Sequence, residues 1–298
     1  MSAATVVAVD VGGTTIKGAT VNGDGSFLRE RSRPTPAGDG PDAVVSALLE
    51  VIAELRAEAD VAAVGVVVPG YVDAEAGRAL YSANVGFRDV PLREVVAEVT
   101  GLPALLEHDV RAAGVAEQEL GATAGVEDYL LAVIGTGIAA VLKTGGKLVV
   151  GSTKLPGELG HIPVRPGGER CSCGQRGCLE RYASAAAIAR RYAEAGGSPG
   201  LTSAEVLARR QTDRLARRIW ADAVEALALA FATCTMLLDP ALIVLGGGLS
   251  AAGDELLLPV RQELAKLVLW REPPLVELSP LGGRAGLLGA ALLAQRLV

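Results

Sequence analysis

The chain has 298 residues, half of them hydrophobic and 21% charged, with a formal net charge of −6. That length suits one large domain or two of ordinary size with a substantial core, which at 3% aromatic content must be built mainly from Ala, Val and Leu. The acidic balance and the lack of any basic block argue against nucleic acid or an anionic membrane as the main partner.

The N-terminus has no basic region ahead of an apolar run, and Asp10 interrupts the run early, so no signal peptide is expected. Residues 5–10, 17–21 and 26–29 read as three short strands punctuated by Gly12-Gly13 and Gly23-Asp24-Gly25. Val44, Val45, Leu48, Leu49, Ile52 and Leu55 then recur at helical spacing behind Pro41, which suits a first turn. The continuous run VAAVGVVVPG predicts a buried strand, PLREVVAEVTG a helix ended by Gly101, ALLEHD a strand, and residues 111–122 a helix. A second β-rich run starts at Asp128 and holds three more strands around Gly135-Thr136-Gly137. Helices are predicted over 183–195, over 203–238 as one or two pieces, and over 254–268, with strands at ALIVLGG and PPLVELS and a last helix at GLLGAALLAQRL. The apolar stretch 226–238 is too short to span a bilayer, so a soluble, cytoplasmic protein is expected. The chain reads as two similar halves, each a three-strand meander followed by strand–helix units, in an α/β architecture with helices layered on mixed sheets.

Chemistry concentrates at a few points. Asp10 ends a strand, and Gly12, Gly13, Thr14 and Thr15 follow, with Lys17 just beyond. Glycines let backbone N–H groups approach phosphate oxygens, the hydroxyls add donors, and the carboxylate can reach Mg²⁺ through water. An ordinary glycine hairpin is the plain alternative. Gly135, Thr136 and Gly137 form a counterpart, and Gly246, Gly247 and Gly248 a third turn that is expected to open a helix. Together the three turns favour a bound nucleotide.

Three of the four cysteines fall in one stretch with His161. His161, Cys171, Cys173 and Cys178 offer one nitrogen and three sulfurs, the donor set of a tetrahedral Zn²⁺ with no position open for water, hence a structural metal. A redox-active or merely buried cysteine set is the alternative. The surroundings are polar and Gly-rich, which disfavours burial. Cys234 sits in an apolar helix and reads as a core residue. Glu158 and Glu180 flank the stretch; fixed acids can accept hydrogen bonds from sugar hydroxyls, whereas loose ones are only solvated. Asp109 ends a strand where α/β ligand sites lie, and suits either a general base or a cap for the next helix.

The segments DVGGTTIKG, VPGYVD, SANVGF, LEHDVRAA, GTG, GELGH with CSCGQRGCLERYAS, and VLGGGLS occur in the order found in ROK proteins (repressor, open reading frame, kinase), which this sequence resembles over essentially its whole length. The resemblance implies an actin-like, hexokinase-type (ribonuclease H-like) ATPase fold of two α/β lobes around a cleft. The first lobe would cover 1–118 with the helix 287–298 packing back on it, and the second 119–286 with the zinc loop 157–184. It implies an ATP-dependent hexose kinase that uses ATP, Mg²⁺ and a structural Zn²⁺, acts on glucose by default, and forms a dimer or tetramer. Asp109 would take the proton of the sugar 6-hydroxyl. Asn84, Glu158, His161 and Glu180 would hold the other hydroxyls, with one His161 ring nitrogen on the metal and one on the sugar. Residues 12–15 and 135–137 would hold the phosphates and 246–248 would lie near the adenosine. Members usually read Glu-Asn-Asp-Ala-Asn-Ala where this chain has Glu107-His108-Asp109-Val110-Arg111-Ala112, so His108 changes size and hydrogen bonding at the sugar; Ala139 and Ala140 stand where further glycines are usual. The alternatives are an N-acetylglucosamine or N-acetylmannosamine kinase, a catalytically weak sugar sensor, and a sugar-responsive repressor. The last is disfavoured by the phosphate turn starting at Asp10, which leaves no room ahead of it for a DNA-binding domain.

Overall fold

Two-sided burial of the first strand sets the architecture of the N-terminal sheet. The computed structural model describes residues 4–153 and 156–298. In β1 (Val6–Val11), Val7, Val9 and Val11 enter one core while Val6 and Ala8 enter another, the period-two division of a strand covered on both faces. β2 (Thr15–Val21) and β3 (Phe27–Pro34) complete an antiparallel meander. α1 (Pro41–Arg56) has Pro at its start, Asp42 in its first turn, and Val44, Leu48, Val51, Ile52 and Leu55 buried on one stripe. It leads to β4 (Val64–Val68), parallel to β1.

A small antiparallel sheet of β5 (Tyr71–Asp73), β6 (Arg78–Ser82) and β7 (Phe87–Val90) follows, an addition to the predicted elements. α2 (Leu92–Thr100) ends at Gly101, whose φ of 69° supplies the left-handed cap. β8 (Ala104–His108) pairs parallel to β4, and α3 (Asp109–Leu120) begins two residues earlier than the sequence pattern implies.

The second sheet repeats this plan. β9 (Tyr129–Ile134), β10 (Ile138–Thr144) and β11 (Lys147–Leu148) form its meander. The predicted helix over 183–195 corresponds to α5 (Ala185–Glu194), and a short helix α4 (Glu180–Ala183) precedes it, separated by Ser184, whose side chain caps α5 by accepting the Ala187 N–H. The stretch 203–238 divides into α6 (Ser203–Arg209), opened by a Thr202–Glu205 capping box, and α7 (Arg214–Leu238), capped by Asp213. β12 (Leu242–Gly246), α8 (Asp254–Leu267), β13 (Leu275–Leu278) and α9 (Ala285–Gln295) complete the chain. α7 has the length and composition of a membrane span, yet most of its apolar residues ahead of Met236 are buried in the second core against α4, α5, α6 and α8.

The sheets run β3-β2-β1-β4-β8 and β11-β10-β9-β12-β13, the same order of a reversed meander followed by two parallel strands. They belong to two compact units, Met1–Ala116 with Arg284–Val298, and Glu117–Gly283. Within the first, α9 lies on β1 and β4 at close range: a Cβ on Gly65 would overlap the Ala290 carbonyl oxygen, and one on Gly289 the Ala112 carbonyl oxygen.

Candidate functional site

In the first unit the turn between β1 and β2 is closed by the Gly12 N–H donating to the Thr15 carbonyl at 3.0 Å. Thr35 pins it from outside, its hydroxyl donating to the Gly12 carbonyl at 2.6 Å and its N–H to the Thr14 carbonyl at 3.0 Å. Asn84, in the turn between β6 and β7, lies against it: a Cβ on Gly13 would come within 2.8 Å of the Asn84 Cβ. Asp10 pairs across the strands with Lys17. Its pKa is pushed up to about 7, first by desolvation and then by the Asp109 charge, with Lys17 opposing. A carboxylate so short of positive charge is the condition that a nucleotide-borne Mg²⁺ corrects, so the residues fit that cation. Gly286, in the first turn of α9, leaves room beside it; a Cβ there would sit 3.4 Å from Asp10 Oδ2 and 3.6 Å from the Asp109 carbonyl. Sequence reading missed Gly286, although a glycine in the first turn of an otherwise apolar helix was a signal for close approach.

Asp109 is the first residue of α3. Its Oδ1 accepts the Val110 N–H at 2.8 Å, and among the described residues Oδ2 accepts no hydrogen bond. The strand end behind it is stiffened by Glu107, whose Oε1 accepts the His108 N–H and the Arg111 Nε–H, each at 2.7 Å. Arg111 also donates to the Val72 carbonyl at 3.3 Å, so its guanidinium is tied into the scaffold of the first unit.

In the second unit the turn between β9 and β10 closes through the Gly135 N–H and the Gly137 carbonyl at 2.9 Å. The turn at Gly246 to Gly248 lies directly on it. Gly247 has φ 78°, and a Cβ there would stand 2.6–2.8 Å from backbone atoms of Ile134. Gly246 itself registers with Val133. The third turn opens a 3-10 turn (Gly248–Ala252) rather than the predicted α-helix, which begins only at Asp254, after Gly253.

Glu180 is fastened to the same region. Its Oε2 accepts the Ile138 N–H at 2.9 Å, a Cβ on Gly137 would approach that oxygen to 2.6 Å, and no other hydrogen bond reaches its carboxylate among the described residues. The segment bearing Glu158 and His161 rests on β10, with the Ala140 N–H donating to the Gly157 carbonyl at 2.7 Å. Glu158 is exposed, and its Oε2 lies 3.8 Å from His161 Nε2.

The other imidazole nitrogen faces the cysteines. His161 Nδ1 is 3.7 Å from Cys171 Sγ, Cys173 Sγ is 3.7 Å from Cys178 Sγ, and the four donor atoms all lie within 4.8 Å of one another. Zn–S bonds of about 2.3 Å in a tetrahedron place sulfurs roughly 3.8 Å apart, whereas a disulfide needs about 2.05 Å. The donor set therefore fits Zn²⁺. Without a cation, burial pushes the Cys178 thiol up to about 12, while the hydrogen bond from the Gln175 backbone draws Cys173 down; a bound divalent metal holds both as thiolates. Positive φ at Gly167, Gly174 and Gly177 lets the loop close on itself. Glu169 anchors it to the helices that follow, accepting from Arg190 at 2.5 Å and Arg191 at 2.9 Å, with Arg181 at 3.6 Å. This anchor was not singled out from sequence, since its partners are 12 to 22 residues away.

Comparison with known proteins agrees with this layout. The ROK family model matches residues 6–297. A glucokinase of Thermotoga maritima is 36% identical, with 96% of each chain covered. An N-acetylmannosamine kinase of Escherichia fergusonii is 32% identical, with 98% of each covered. Among solved structures, a ROK family glucokinase from Streptomyces griseus in complex with glucose and AMPPNP superposes with a TM-score of 0.88 at 32% identity, over 98% of this chain and 99% of that one. With its hexokinase-type α/β fold and its Cys3His loop, the chain belongs to the ROK family.

Proposed function

We propose that this chain is an ATP-dependent hexose kinase that transfers the γ-phosphoryl group to the 6-hydroxyl of glucose. The observation that carries this reading is Asp109: one carboxylate oxygen is fixed by the Val110 N–H and the other is open, at the end of β8, which lies in the same sheet as β1 with β4 between them, and β1 leads into the glycine turn at residues 12–15. In such a reaction Asp109 Oδ2 accepts the hydroxyl proton as the sugar oxygen bonds to phosphorus and the bond to the β-phosphate oxygen breaks, releasing ADP. The turns at residues 12–15 and 135–137 receive phosphate oxygens through backbone N–H groups other than those of Gly12 and Gly135, which close the turns, and residues 246–248 adjoin the nucleotide. Mg²⁺ bound with ATP supplies charge neutralisation on the phosphates. Asn84, Glu158, His161 and Glu180 are assigned to the sugar, while His108 adjoins Asp109. Zn²⁺ held by His161, Cys171, Cys173 and Cys178 supplies a rigid support, leaving His161 Nε2 to the substrate. An enzyme of this kind belongs in the cytoplasm, where ATP and hexose meet.

The N-acetylmannosamine kinase relative motivates a second reading, with an N-acetylhexosamine as acceptor. ADP release measured with glucose, mannose, fructose, N-acetylglucosamine and N-acetylmannosamine separates the two, with phosphorus NMR locating the phosphate. The expected result is the highest kcat/KM for glucose and a 6-phosphate product; no ADP release with any sugar refutes both readings.

A further inference from the structure

His108 is one of only two histidines in the chain, and its imidazole adjoins the proposed base. Nδ1 lies 3.3 Å from Asp109 Oδ1, with the His108 side chain 18% exposed. The same Nδ1 accepts the Val110 N–H at 3.2 Å, the proton that Asp109 Oδ1 accepts at 2.8 Å. One amide proton thus serves two acceptors. The Val110 contact fits a ring with its proton on Nε2, because a protonated Nδ1 has no lone pair to offer. Protonation at Nδ1 replaces two facing lone pairs with a charge-assisted hydrogen bond to the carboxylate.

Among the described residues no other hydrogen-bond or ion-pair partner reaches Nδ1. Glu107 holds the His108 backbone N–H and is itself matched by Arg111. The residue opposite His108 on β4 is Val68. On β5 the carboxylate of Asp73 is turned to the Ala76 N–H at 3.0 Å, and Tyr71 is an exposed phenol. Beyond Asp109 stand Asp10, which feels its charge, and Lys17, which opposes that effect on Asp10.

We propose that His108 is a positioning residue that switches Asp109 between two states. With the ring neutral, Asp109 is free to receive the sugar hydroxyl proton through Oδ2. With the ring protonated, the carboxylate is held in an ion pair and loses basicity. Turnover then has an acid limb that belongs to His108. The inference rests on the kinase reading given above.

Two measurements test it. The first is the pH profile of kcat/KM from about pH 5 to 9 for the wild type, His108→Asn and His108→Gln. The expected wild-type profile falls on the acid side with a one-proton slope, and in both variants that limb moves to lower pH, whatever their absolute rates. Superimposable acid limbs overturn the proposal. The second is nitrogen NMR of the histidine rings, with His108→Asn assigning the two signals. The expected state at pH 8 is the Nε2–H form, with a Val110 amide resonance that moves on acidification in the wild type and stays still in His108→Asn. An Nδ1–H form, or an unmoved Val110 resonance, overturns it. If no hexose is phosphorylated while the NMR result holds, the substrate reading fails and the His108–Asp109 pair stands; an active kinase with unchanged limbs gives the reverse.

Discussion

Replacing Asp10 by Asn tests the charge balance at the first glycine turn without any substrate. Desolvation and the Asp109 charge raise the Asp10 pKa from 3.8 to about 7. A rise of about three units is worth roughly 4 kcal/mol at 1.36 kcal/mol per unit. Asp10 is partly exposed, so screening and relaxation reduce the expected effect to about 1–2 kcal/mol. The sign follows from linkage: the folded-state value lies above the unfolded one, so the stabilising contribution is complete below about pH 4 and is lost as pH rises through about 7. Asn has no such dependence. The stability of Asp10→Asn relative to the wild type should therefore grow by about 1–2 kcal/mol between about pH 4.5 and 8.5, with most of the growth below pH 7. Urea unfolding in nucleotide-free, magnesium-free buffer at constant zinc measures it. A difference that is flat or shrinking with pH refutes the reasoning. Adding ATP with Mg²⁺ should then stabilise the wild type more than the variant.

Asp109→Asn should lower kcat by roughly 10³-fold while the glucose Kd, from calorimetry, changes by less than about threefold; retention of a tenth of the activity would remove Asp109 from the base role. Cys173→Ala should reduce bound zinc from about one per chain towards zero in elemental analysis and weaken glucose binding at least about tenfold, through the freed His161 ring. Undiminished zinc in that variant rules out the proposed ligand set. Gly247→Ala should cost about 3 kcal/mol or more in thermal unfolding, because φ is 78° and the new Cβ meets the Ile134 backbone within a paired strand; a wild-type Tm contradicts it.

What the sequence disclosed follows from the range of the forces involved. The two meanders were legible because alternating Val and Ala runs are broken by glycine pairs, and both signals are local. The convergence of His161 with three cysteines was legible from donor type and spacing. The sheet of β5, β6 and β7 was not: its strands are three to five residues long and mix Tyr, Asp, Arg and Ser with single apolar residues. The break between α6 and α7 did carry a signal, the Asp213 cap, but the apolar spacing on both sides masked it. Contacts such as Gly247 on Ile134 or Glu180 with the Ile138 amide join residues 42 to 113 positions apart, where local pattern has no reach.

The fastening of Glu180 to the Ile138 amide has a consequence for engineering. The cysteine-bearing segment invites use as a graft, carried whole into a related scaffold to change sugar preference. Its last acid grips the neighbouring turn, and Gly137 and Gly160 leave no space for a side chain at that junction. A chimera that imports residues 157–184 must import residues 135–140 with them, or it will inherit a cysteine loop attached to a misaligned turn.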